Sequence, residues 1–124
     1  MSETTSFVDT LGVYGRTAED GIAHLQLDVT GQHLNEAGTL HGGVLATLVD
    51  TAMGQAVRSL SGEGDVPATS QLTVTYLRPG KPGTVQVTGR VSKQGDHLTV
   101  CEAEAEQDGR TLVHAVATFA VLHR

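Results

Sequence analysis

From Val66 onward the chain repeats one pattern: apolar and polar residues alternate with a period of two, interrupted by glycine-bearing turns. The apolar set is Leu72, Val74 and Tyr76 in "TSQLTVTYLR", and Val85, Val87 and Val91 in "TVQVTGRVSK". In "LTVCEAEAEQ", Cys101, Ala103 and Ala105 alternate with Glu102, Glu104 and Glu106; in "TLVHAVATFAVL" the set is Val113, Ala115, Ala117, Phe119 and Val121. Successive strand side chains point to opposite faces, so each run has one apolar face. Parallel sheets are covered on both sides and read as continuous apolar runs, so these strands belong to an antiparallel sheet with one face in water. Asp108-Gly109 predicts a hairpin turn. The proline-glycine stretch "RPGKPG" and Gln94-Gly95-Asp96 mark the other returns.

The inner face of that sheet needs a cover, and one segment can supply it. Over residues 43–60 the period becomes helical: at ~100° per residue, Val44, Leu45, Leu48, Val49, Ala52, Met53, Ala56 and Leu60 share one wide arc. "SGEGD" ends it. Upstream, residues 22–29 alternate as Ala23, Leu25, Leu27 and Val29 against His24, Gln26 and Asp28, with weaker strand signals over 13–18. A short helix over 6–12 is opened by Ser6 and closed by Gly12. The prediction is an α+β chain, one antiparallel β-sheet wrapped around one long central α-helix. The small inner residues Cys101, Ala103 and Ala105 let the helix lie close. At 124 residues the chain is read as one domain over 1–124, with residues 1–10 as an N-terminal segment. Such a sheet has exposed edges, and edge-to-edge pairing predicts a homo-oligomer.

A formal charge of −6 and the lack of any basic run argue against a nucleic-acid partner. A few local Lys or Arg residues would still suffice for a phosphorylated ligand. The lone Cys101 excludes an internal disulfide and reads as a half-buried strand residue. The first fifteen residues lack the pattern of a secretory leader, and apolar stretches fall short of the ~18–20 residues that span a bilayer. A cytoplasmic protein with no membrane role is expected.

The chemistry concentrates in "HLNEAGTLHGGVLATLVDTAMG", residues 33–54. A helix start carries unpaired N–H groups and partial positive charge, and glycines there let a ligand reach the backbone. Gly42 and Gly43 therefore suit a phosphate, or a carbonyl oxygen that becomes an oxyanion. No Lys-Ser/Thr pair follows them as in phosphate loops, which favours the carbonyl. Asp50 sits at the margin of the apolar arc without a basic residue at i±3 or i±4. Its neighbours Gly43, Ala46, Thr47 and Gly54 are small, leaving room for a ligand or a second chain. His41 reads as a cap, or as a group that orients the loop. Asn35 reads as a turn cap, or as a donor to a carbonyl. The six histidines are too scattered for a metal site.

These residues resemble the signature of the hotdog-fold acyl-CoA thioesterases, in the phenylacetate-pathway (PaaI-like) branch: N-x5-H-G-G with an Asp nine residues after the His. Here those positions are Asn35, His41, Gly42, Gly43 and Asp50. "SQLTVTYLRPGKPG" resembles the branch's strand and RP-x-x-x-G turn, and the similarity covers roughly residues 11–122. The resemblance implies the hotdog fold and hydrolysis of an aryl- or medium-chain acyl-CoA to free acid and CoA. The Gly42 N–H would polarise the thioester carbonyl, assisted by Asn35, with His41 shaping the loop and Gly43 beside the substrate. Asp50 would come from the partner protomer of a homodimer and act as general base or as nucleophile, the base being favoured. A hydroxyl early in the next strand would position the water; Thr69 is the better match and Ser70 its neighbour. Arg78 and Lys81 are candidates for the CoA phosphates, with Arg90 and Lys93 further along. The resemblance implies no cofactor apart from the CoA within the substrate, no metal, and a homotetramer of two such dimers. Two other readings remain: a non-catalytic acyl-CoA binding or sensing protein on the same fold, and a hotdog dehydratase or hydratase.

Overall fold

The computed structural model describes residues 6–123; the reading of residues 1–5 as free of a leader lies outside them. Helix α1 (Phe7–Leu11) opens where the Ser6 side chain accepts from the Asp9 N–H and closes at Gly12, at φ 94°. Then follow β1 (Tyr14–Glu19), β2 (Ile22–Val29), α2 (Gly42–Arg58), β3 (Val66–Tyr76), β4 (Gly83–Gln94), β5 (Leu98–Gln107) and β6 (Arg110–Leu122). The six strands form one sheet in the order β1-β2-β4-β5-β6-β3, with every pairing antiparallel. All six strands touch α2, so the sheet wraps the helix as the alternation predicts. Strand β3, made directly after the helix, crosses to the far edge beside β6, leaving β1 and β3 as the two edges.

Alternation and burial agree in β2, β4, β5 and β6, whereas edge strand β1 is exposed throughout. Ala23, Leu25, Leu27 and Val29 of β2 are buried, as are Cys101, Ala103 and Ala105 of β5 and Val113, Ala115, Ala117 and Phe119 of β6. Helix α2 buries Leu45, Leu48, Val49, Ala52, Met53, Ala56 and Val57 against them. The closest approach is at Gly89 of β4, where an added Cβ would stand 2.6 Å from the Ala52 carbonyl carbon. Gly89 pairs with Ala23 on one side and Ala103 on the other, so a row of small residues makes the helix seat. The hairpin after β5 has Asp108 at φ 53° and Gly109 at φ 76°, the left-handed pair of a type I′ turn.

Two expectations need correction. The helix stops at Arg58 with Ser59 as its cap, so Leu60 lies beyond it, 38 % exposed, and Val57 takes its place on the buried arc. Cys101 is fully buried rather than half-buried, and desolvation pushes its thiol up to about 11, which keeps it protonated and inert. Among the described residues no helix is long and apolar enough to cross a membrane.

Candidate active site

The loop into α2 is tied down from three directions. His33 is 3 % exposed, and both its ring nitrogens are used. Its Nδ1 accepts from the Thr30 N–H at 3.0 Å and its Nε2 donates to the Leu11 carbonyl at 2.8 Å, joining α1 to this loop. The His33 carbonyl in turn accepts from the His41 N–H at 2.9 Å. Asn35 folds onto its own turn: Oδ1 accepts from the Ala37 and Thr39 N–H groups at 2.9 and 3.1 Å, and Nδ2 donates to Thr39 Oγ1 at 2.9 Å. One amide hydrogen of Asn35 stays uncommitted among the described residues. Sequence reasoning passed over His33 because a lone histidine carries no periodic signal.

His41 is the N-cap of α2, its Nδ1 accepting from the Gly43 N–H at 2.8 Å. Capping residues satisfy one of the orphan donors of a helix start in this way. The Gly43 N–H is therefore occupied, and the residue's smallness admits the folded-back ring: an added Cβ would lie 3.0 Å from His41 Nδ1. The Gly42 N–H has no hydrogen-bond partner among the described residues. It is the open donor at this end of the helix.

Asp50 is half-buried further along α2, and its Oδ1 accepts from Thr69 Oγ1 at 2.7 Å. A bulge in β3 makes this contact. Thr69 pairs with Phe119 and Gln71 with Thr118, leaving Ser70 as the extra residue. An inserted residue reverses the alternation. Ser70 would otherwise share the inner face with Leu72 and Val74; the bulge gives that place to Thr69. Ser70 instead bonds Thr118, Oγ to Oγ1 at 2.6 Å. Gly42 and Asp50 are eight residues apart on one helix, about 12 Å along its axis.

Three hollows adjoin these groups. A cleft of about 680 Å³ opens along the helix stripe Asp50, Thr51, Gly54 and Arg58, between Ala18 of β1 and Thr69 of β3. At the other end of the helix a hollow of about 310 Å³ is lined by Gly42, Leu45, Tyr76, Leu77 and Arg78. It shares Arg78 and Pro79 with a third cleft of about 610 Å³ that adds Lys81 and Arg110. Arg78 donates to the Thr111 carbonyl at 2.9 Å, and Lys81 lies 3.6 Å from Asp108. Buried Gln107 braces the loop, accepting from the Lys81 N–H and donating to its carbonyl. Arg110 went unmarked in the sequence because only the β5–β6 hairpin brings it beside Arg78. Arg90 belongs elsewhere, held by Glu102 and Glu104 on the outer sheet face. No group of three or more His, Cys, Asp or Glu among the described residues could hold a metal ion.

The sequence profile of the thioesterase superfamily matches residues 37–114. The chain is 34 % identical to the acyl-coenzyme A thioesterase PaaI of Escherichia coli over 105 residues, 84 % of this chain and 73 % of that one. A conserved protein of Pseudomonas aeruginosa superposes with a TM-score of 0.91 at 29 % identity, over 96 % of this chain and 95 % of that one. A Bacillus halodurans protein solved with CoA gives a TM-score of 0.77 at 32 % identity, over 80 % of this chain and 66 % of that one.

Proposed function

The chain belongs to the thioesterase superfamily and is a hydrolase with the hotdog thioesterase fold, and from that premise we propose that it cleaves an aryl- or medium-chain acyl-CoA at a site shared by two copies of the chain. The observation that carries this reading is the hydrogen bond from Thr69 to Asp50. A half-buried carboxylate held through one oxygen has the other free to take a proton from water. The water then attacks the thioester carbonyl, the oxyanion is held by the Gly42 N–H, the C–S bond breaks, and the departing thiolate is reprotonated. Donors aimed at developing charge are a large catalytic term. A module that only binds or senses acyl-CoA has no use for such a base.

A base acting through one water must lie within a few ångströms of the carbonyl, and ~12 Å of helix separates Asp50 from the Gly42 of its own chain. Strand β3 is an edge, and it carries Thr69 beside Asp50. Pairing of two copies along β3 would bring the Asp50 of one to the Gly42 of the other. Two such dimers would make the homotetramer. The CoA arm would leave over Tyr76 and Leu77 toward Arg78, Lys81 and Arg110, whose three cations face a single acid, Asp108, in that cleft. CoA is then part of the substrate, no separate cofactor or metal is needed, and a cytoplasmic acyl-CoA pool would supply it. By its resemblance to PaaI, phenylacetate breakdown is the proposed setting.

The test is complementation. Asp50→Ala is expected to lower thiol release about a thousandfold without loss of folding. Gly42→Pro removes the N–H at the first helical position, where the backbone tolerates proline, and Tyr76 must yield by a few tenths of an ångström to the new ring. Each variant alone is inactive; mixed after dissociation, half the dimers hold one intact site, restoring about a quarter of the activity. Full turnover by Asp50→Ala sinks the assignment of the base, and no recovery on mixing sinks the shared site.

A further inference from the structure

Tyr76, the last residue of β3, pairs with Val113 and so shares the inner face with Leu72 and Val74. Unlike them it is 52 % exposed, because α2 begins there and nothing lies beyond its first turn to cover the ring. The hydroxyl donates to the Gly42 carbonyl at 2.6 Å. Ring atoms Cε1 and Cζ and the hydroxyl oxygen would each stand 3.3 Å from a Cβ at position 42, so the ring rests against the glycine. A half-exposed phenol can bond water at no cost, so burial does not force this partner on it.

The contact completes a clamp. The peptide joining Gly42 to Gly43 has its carbonyl held by Tyr76 and its N–H held by the His41 ring at 2.8 Å. Two consecutive glycines make the start of a helix the place most prone to fray. A donor contributes most to an oxyanion when its direction is set beforehand. We propose that Tyr76 is a positioning residue for the Gly42 N–H: its hydroxyl and the His41 ring hold the Gly42–Gly43 peptide between them, so that the open donor is aimed before substrate arrives. The proposal rests on the thioesterase reading and deepens it. The same ring lines the hollow that Gly42 shares with Leu77 and Arg78, so it also walls the approach to the donor. The second glycine gains a reason as well, since a side chain at 43 would displace the His41 arm of the clamp.

Tyr76→Phe keeps the ring and deletes the hydroxyl. Steady-state thiol release from acyl-CoA should show kcat lower by about tenfold with KM within about twofold, the pattern of an interaction that matters in the transition state. Amide hydrogen exchange followed by NMR should be at least about tenfold faster at Gly43, with the thermal midpoint moved by less than about 2 °C. A residue that merely filled space would leave both kcat and Gly43 exchange unchanged in the Phe variant, and that result overturns the proposal. So does a loss confined to KM. No thiol release by the wild-type protein overturns the thioesterase reading and the proposal together. Turnover by the wild type with an unaltered Tyr76→Phe overturns the proposal alone.

Discussion

Gly89→Ala adds one methyl group at the seat of the helix, and its cost can be worked from the packing. The new Cβ would stand 2.6 Å from the Ala52 carbonyl carbon, 2.7 Å from the Met53 nitrogen and 2.8 Å from the Ala52 oxygen. All three are backbone atoms, so no rotamer change relieves the overlap. Ordinary contact begins near 3.4 Å, so helix and sheet must part locally by about 0.8 Å. A gap of 0.5–1 Å forfeits roughly a quarter to a half of the attraction between packed atoms. The neighbours Ala23 and Ala103 are already small and offer no slack. Overpacking of this kind costs about 1–3 kcal/mol, sometimes more. Removing the freedom of an unfolded glycine returns about 0.4–1 kcal/mol. Because the overlap is with backbone the cost lies at the upper end of that range, and the net loss of about 2–2.6 kcal/mol corresponds to a fall in thermal midpoint of about 8–10 °C for 124 residues. Calorimetry at one fixed protein concentration is the assay, since association of copies would make the midpoint concentration-dependent. Asp50 lies two residues before Ala52, so thiol release should fall as its contact with Thr69 is pulled out of line. A midpoint within about 2 °C of wild type would refute the argument that backbone contact at Gly89 sets the helix height.

Two further outcomes follow from the bulge and from the outer face of the sheet. Thr69→Val should lower kcat by about ten- to a hundredfold, whereas Ser70→Ala, whose hydroxyl serves Thr118 within the sheet, should stay within about twofold of wild type; the reverse ranking would remove Thr69 from the site. The Arg90 guanidinium beside Glu102 holds that carboxyl below its usual 4.5, so its stabilisation is present above that value and lost as pH falls through the lowered one. Arg90→Met should therefore flatten the loss of thermal midpoint below pH 4.5 and leave thiol release unchanged. Because Arg90 is about a third exposed, the cost at neutral pH should be no more than about 1 kcal/mol; parallel acid limbs in the two proteins would show that the pair carries no linkage.

Local periodicity carried most of the fold. Alternation along 98–107 and 110–122 specified an antiparallel sheet with Cys101, Ala103, Ala115 and Phe119 inside, and the change of period at 43 marked the single helix that covers it. These are consequences of backbone geometry, which repeats every two residues in a strand and every 3.6 in a helix whatever lies nearby. The glycine pair and the unpartnered Asp50 stood out because each breaks a local expectation within that helix. Other features were not legible along the chain. Alternation alone would place Ser70 inside, and only pairing of β3 with β6 shows the bulge that turns Thr69 toward Asp50. Gly89 carries no signal of its own between Val87 and Val91, and its reason shows only where the helix backbone lies on it. Tyr76 had the right face, but its exposure and its grip on Gly42 depend on where the helix begins relative to the end of β3. Register, bulges and close approach join residues distant in sequence, so their energies belong to pairs of elements, and it took the assembled sheet and helix to decide them.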